Sequence, residues 1–224
     1  TDLYYTVFAL EGLIALQQEF PPGVRGYLER FADGDGLDLV HLCCLARCWA
    51  AFKQTRHDLA DRLVRRINEL WDHDSVYHGF LAWGALQDLG QAPAQFPLGD
   101  TLLQTTLHTA ARTTPTTAAT VTLLRHLGSP VPPDAVSWLL ARARPEGGFS
   151  AAEGAPLPDL LSTATALHAL SGQKASLARL KEPTLDFIDT LWTGKAFCGT
   201  WADDEPDCEY TYYALLAMGH LSLA

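Results

Sequence analysis

Six times along this chain a helix-start signal recurs ahead of a run that is apolar nearly all the way round. The copies open at Asp2, Asp38, Asp74, Thr113, Asp159 and Asp207, spaced 36, 36, 39, 46 and 48 residues apart. Each reads as a capping residue, three further residues, often a threonine, and then small and large apolar side chains at helical spacing. The clearest are Asp159-Leu-Leu-Ser-Thr163 before ATALHAL and Asp207-Cys-Glu-Tyr-Thr211 before YYALLAM. The oxygen of an Asp or Thr at such a position accepts from the orphan N–H groups of the first helical turn. A helix that is apolar on all sides must be covered on more than one side. A unit repeating at this period cannot bury its own face, so neighbouring units must stack.

More polar segments separate these copies, at residues 24–31, 55–71, 98–111, 135–144 and 184–192. Their charges fall on one face, as in DLADRLVRRINEL, which predicts solvent-facing helices. Pro21-Pro22-Gly23, Pro132-Pro133 and Pro145-Glu-Gly-Gly148 punctuate the turns. No stretch alternates with period two for long enough to require a sheet. The fold expected is all-α: six inner helices ringed by outer ones in an (α/α)6-type toroid, favoured over an open solenoid, with residues 1–224 as a single domain. The count leaves six inner candidates against five outer, so an outer helix upstream is expected, or an atypical closure of the ring.

Composition narrows the partners. At 48% hydrophobic residues, the 224-residue chain carries too much apolar material for disorder and enough for a sizeable core. Lys and Arg number 16 against 26 Asp and Glu, a net charge of -10. That field repels phosphate backbones and anionic headgroups, so neither nucleic acid nor a membrane surface is an expected partner. No apolar run reaches the roughly 18 residues of a membrane span, and no signal-peptide pattern opens the chain, so a cytoplasmic location is expected. Cys43, Cys44 and Cys48 sit within one helical run and read as small buried hydrophobes. Cys198 and Cys208 flank an acidic loop, where a bridge or a metal site is conceivable; reduced thiols are the plainer expectation.

The run Gly147-Gly148-Phe149 ahead of Asp159-Leu-Leu-Ser-Thr-Ala-Thr-Ala-Leu-His-Ala-Leu resembles the repeat of protein prenyltransferase β subunits, shared with squalene cyclases and class II terpene cyclases. Cys198-Gly-Thr-Trp201 before Asp207 resembles the same lead-in. The resemblance spans essentially the whole chain. It implies an isoprenoid held in a central apolar funnel, and a helical partner subunit of the kind prenyltransferase β subunits use. It also implies zinc, bound by an Asp, a Cys two residues on, and a His at the head of the next inner helix. Here Asp159 matches, but Leu161 and Tyr210 stand where the Cys and His belong, so the ligand set is incomplete. The stretch AAEGAPLP before Asp159 also lacks the basic residues that would meet a diphosphate.

The cyclase template lays Glu209 on its proton-donating middle Asp and Asp207 on the first Asp, with Tyr210 in place of the last. Asp159, Asp207, Glu209 and Tyr210 are therefore the candidate catalytic residues, and Asp207 with Cys208 the candidate metal ligands. A carboxyl group can protonate an alkene only where burial keeps it protonated. Aromatic residues cluster at inner-helix heads: Tyr4, Tyr5, Phe8, Tyr77, Trp83, Trp201, Tyr212 and Tyr213. With His41 and His78 they form the candidate lining for an isoprenoid or a carbocation; packing or local hydrogen bonding is the structural alternative. Arg62, Arg65 and Arg66 read as surface pairing with Asp58 and Asp61. Two other functions stay open: a class II-type cyclase using Asp207 and Glu209, and a non-catalytic toroid serving as a binding module or partner subunit.

Overall fold

The computed structural model describes residues 2–52, 57–91, 98–109 and 111–223. Among these residues it is built of eleven α-helices and one short hairpin. Chain contacts divide it into two compact units, Thr1–Leu98 and Gly99–Ala224.

The first unit holds α1 (Leu3–Ala15), α2 (Gly23–Glu29), α3 (Leu39–Ala51), α4 (His57–Leu70) and α5 (Val76–Asp88). Helix α3 packs against both α1 and α5, while the polar helices α2 and α4 cover it from outside. This explains why LVHLCCLARCWAA is apolar nearly all round: Leu42, Leu45, Ala46 and Cys48 are completely buried. Each leucine so covered is worth about 2 kcal/mol of transfer free energy.

The second unit holds α6 (Asp100–His108), α7 (Thr114–His126), α8 (Pro133–Leu140), β1 (Phe149–Ser150), β2 (Pro158–Asp159), α9 (Leu160–Gly172), α10 (Lys181–Thr190) and α11 (Cys208–Ser222). Helix α9 packs against α7 and α11, with α6 and α8 on α7 and α10 on α11. The helical character and the alternation of apolar and polar helices thus follow the repeat. Residues 55, 56 and 110 of the expected polar segments lie outside the described residues.

Asp2, Asp38, Thr113, Asp159 and Asp207 each cap an apolar repeat helix, their side-chain oxygens accepting from the N–H three residues on. The third copy differs. Its cap is Ser75, whose hydroxyl accepts from His78 N–H at 3.3 Å, and Asp74 instead donates its own N–H to Asp72. Both residue types cap well, so local chemistry alone does not choose between neighbours.

The hairpin was not expected. Phe149 pairs with Asp159 and Ser150 with Pro158, antiparallel. Two strands of two residues carry no periodicity a sequence could show. Gly147 and Gly148 lead into it with φ of +97° and +69°, and a Cβ on Gly147 would lie 1.9 Å from the Pro183 carbonyl oxygen. Only glycine fits there.

Candidate functional site

In the last two repeats the recurring threonine ties the helix head to the loop before it. Thr163 Oγ1 donates to the Asp159 carbonyl at 2.6 Å and accepts from Phe149 N–H at 2.9 Å. Thr211 does the same with the Asp207 carbonyl at 2.6 Å and Phe197 N–H at 3.2 Å. Phe197 also bridges to Asp207 as Phe149 pairs with Asp159. The lead-in aromatic of the last repeat is therefore Phe197, and Trp201 lies beyond it. Trp201 is 42% exposed, meets Phe187 edge-on and donates its indole N–H to Thr190 at 2.8 Å. Carrying the spacing between Phe149 and Thr163 back from Thr211 would have found Phe197.

The heads of α9 and α11 are laced together. Leu160 N–H donates to the Gly199 carbonyl at 2.8 Å, and Thr200 Oγ1 donates to the Pro158 carbonyl at 3.1 Å. Asp203 Oδ2 accepts from Thr200 N–H at 3.1 Å. A Cβ on Gly199 would sit 2.4 Å from Tyr210 Cζ and 2.8 Å from Asp203 Oδ2, so the phenol and this carboxylate converge over the glycine. Sequence reading left Asp203 in the acidic loop without this role.

Burial raises the pKa of Asp159 above the ordinary carboxylate range, and the neighbouring Asp203 charge adds to the rise, against the pull of the Ser162 N–H. Tyr210 is pushed up by burial and then by Asp203, Glu209, Asp207 and Asp159. The structure thus brings the other three candidate catalytic residues, Asp159, Asp207 and Glu209, within electrostatic reach of the Tyr210 phenol. A carboxyl group in these surroundings holds its proton to higher pH than a solvated one, so it can donate a proton or a hydrogen bond.

The donor set does not fit the zinc that the resemblance implies. Asp207 Oδ1 is committed to Tyr210 N–H at 2.8 Å. Burial and Asp207 push the Cys208 thiol up, away from the thiolate that a metal needs. Among the described residues no three His, Cys, Asp or Glu side chains are placed to hold a metal ion. All five cysteines are free, with Cys43, Cys44, Cys48 and Cys198 buried.

The remaining candidates lie mostly in the first unit. Tyr4 meets Tyr5 and Phe8 edge-on at 5.5 and 5.0 Å. Tyr77 is exposed, whereas Trp83 is buried. His41 Nδ1 pairs with Asp38 Oδ1 at 2.8 Å, and His78 Nδ1 accepts from Asp72 N–H at 3.2 Å, so each imidazole is held within its own repeat. On α11, Tyr212 and Tyr213 pack tilted at 5.5 Å. Arg62 pairs with Asp58, as the surface reading expects.

Sequence reading missed ionisable clusters along the apolar repeat helices of each unit. Arg47 joins Glu11 at 3.2 Å and Asp88 at 2.8 Å, and burial raises the Glu11 carboxyl despite that guanidinium. In the second unit His168 Nδ1 lies 3.1 Å from His220 Nε2. Burial, then His220 and Arg125, push the His168 pKa down to about 4. The available signal was an ionisable residue at the ninth or thirteenth position of each apolar repeat helix. Comparison of the chain with protein-family models finds no match, and comparison with curated proteins finds none.

Proposed function

We propose that the two rows of inner helices close into an (α/α)6 toroid and that its central funnel binds an isoprenoid-type chain without zinc chemistry. One observation carries this reading. Helix α9 has neighbours on both sides, yet Leu161, Thr165, His168 and Gly172, one face at helical spacing, remain half-buried. A central helix with one face left only half-buried suits a lined cavity, and the aromatic residues at the helix heads suit its mouth. Calorimetry with geranylgeraniol and geranylgeranyl diphosphate tests it. Comparable micromolar binding of both is expected, because the chain rather than the headgroup supplies the affinity. Binding of neither, or of the diphosphate alone, overturns it.

A second reading has its own observation: among the candidate acids, Asp159 is the carboxyl that burial and a like charge drive toward the protonated form. Asp159 would then serve as proton donor for cyclisation, in place of the Glu209 suggested by the motif. Incubating an isoprenoid with wild type and Asp159→Asn tests this, with cyclic product expected only from wild type. Asparagine keeps the helix cap, so an unfolded variant would not confuse the result.

A further inference from the structure

Residues flanking the end of α6, Trp138 of α8 and the loop following β1 line a half-open cavity of about 350 Å³. His108, Thr109, Arg112, Trp138 and Glu153 are among its lining residues. Two guanidiniums stack on the same indole: Arg112 Cζ lies 4.4 Å and Arg142 Cζ 4.8 Å from the Trp138 ring centroid. Arg112 Nη1 donates to the Leu107 carbonyl near the end of α6, one of its five donors. The Arg142 side chain is 13% exposed, and its Nε and Nη1 are buried without a hydrogen-bond partner. Its nearest counter-charge, Glu153 Oε2, lies 4.0 Å from Nη1, beyond hydrogen-bond reach, on a side chain 85% exposed.

Arg142 thus keeps its charge behind the Trp138 indole, while Arg112, which lines the cavity, has donors beyond the one given to Leu107. Arg112 and the neighbouring Arg142 stand here with the Glu153 and Asp134 carboxylates in a chain of net charge -10. A guanidinium facing a cavity in an otherwise acidic protein marks a place that can hold an anion. The guanidinium fork matches the oxygens of a phosphoryl group in two contacts at once. Next to the cavity, and sharing His108 and Thr109 with it, runs a groove lined by Thr101, Gln104 and Thr105. Its lining is mostly apolar surface, with the Gln104 amide among its polar groups, so it can take the remainder of an esterified ligand.

We propose that this cavity binds a phosphate group, free or esterified to a small molecule, with Arg112 in contact and Arg142 supplying a second positive charge behind it. Every residue involved belongs to the unit Gly99–Ala224, and the inference does not rest on the toroid or its funnel.

Calorimetry on the full chain at low salt, with inorganic phosphate and with glycerol 3-phosphate, separates the two sources. Tighter binding of the ester supports the proposal with a phosphorylated metabolite as ligand, and equal binding supports it with free phosphate. Glu153→Gln removes the competing carboxylate and should tighten binding by about two- to fivefold, the size of an exposed charge pair. Arg112→Gln should weaken it by about tenfold or more, the scale of a lost charge-assisted bond. Arg112 also serves the end of α6, so circular dichroism of that variant is read alongside. If it unfolds, Glu153→Gln still decides, because that side chain is exposed. No binding of either compound to wild type and Glu153→Gln, or binding that Glu153→Gln leaves unchanged, overturns the proposal.

Discussion

Replacing Thr163 and Thr211 by valine in turn isolates the device that joins each helix head to its lead-in strand. Valine keeps the shape and removes one hydroxyl. Thr163 and Phe149 are both fully buried, so Thr163→Val strands the Phe149 N–H away from water. An unmet buried donor costs about 1–3 kcal/mol, and the lost bond to the Asp159 carbonyl adds to it, so about 2–3 kcal/mol is expected. Thr211 and Phe197 are only half-buried and their bond is longer, at 3.2 Å. Water can replace it, so Thr211→Val should cost about 1 kcal/mol or less. Against a total stability of about 5–15 kcal/mol the first change is a sizeable fraction. Urea denaturation followed by far-UV circular dichroism gives both values, and hydrogen exchange at the Phe149 amide reads the bond directly. Equal costs, or unchanged protection of that amide in Thr163→Val, would refute the assignment of burial as the cause.

Acid should weaken the fold through the histidine pair. The unfolded chain takes up a proton at His168 near the ordinary histidine value of 6.5, while the folded chain resists until about 4. Stability therefore falls as pH drops through that window, by up to about 3 kcal/mol from this group. Denaturant titrations at pH 7 and pH 4 should show a shallower loss for His168→Asn than for wild type, and parallel losses would sink the idea. At the end of α9, Lys174 sits at φ +56°, where α7 uses Gly128 at φ +69°. Lys174→Gly should stabilise by about 0.5–1 kcal/mol, seen as a higher melting temperature. Gly148→Ala should do the opposite, costing about 2–4 kcal/mol, since its Cβ would lie 2.7 Å from two Phe187 ring carbons at a φ of +69°. Its melting temperature should fall by many degrees, and an unchanged one would show that the Phe187 ring can give way.

Helix identity was legible because the signals are local. A capping aspartate acts on an N–H three residues away, and the all-round apolar runs mark α3 and α9 as central whatever surrounds them. Asp74 and Ser75 show the limit: two good caps side by side leave the helix start undecided by one residue. The resemblance drew attention to Trp201, whereas the register of bonds assigns its structural place to Phe197. An aromatic residue reads the same in sequence whether its backbone pairs with a helix head or only its ring packs nearby.

By itself the sequence determined the helical repeat, the alternation of buried and solvent-facing helices, and the caps at Asp2, Asp38, Thr113, Asp159 and Asp207. Those outcomes depend on spacing of a few residues along one chain segment. Tertiary structure alone decided which polar groups meet: Asp159 and Asp203 beside Tyr210, Arg47 between Glu11 and Asp88, His168 against His220, and two guanidiniums on Trp138. A group's charge state depends on what desolvates it and which charges stand within a few ångströms. Those neighbours arrive from distant chain positions, so the same Asp that is legible as a cap in sequence becomes a candidate acid only once the helices pack.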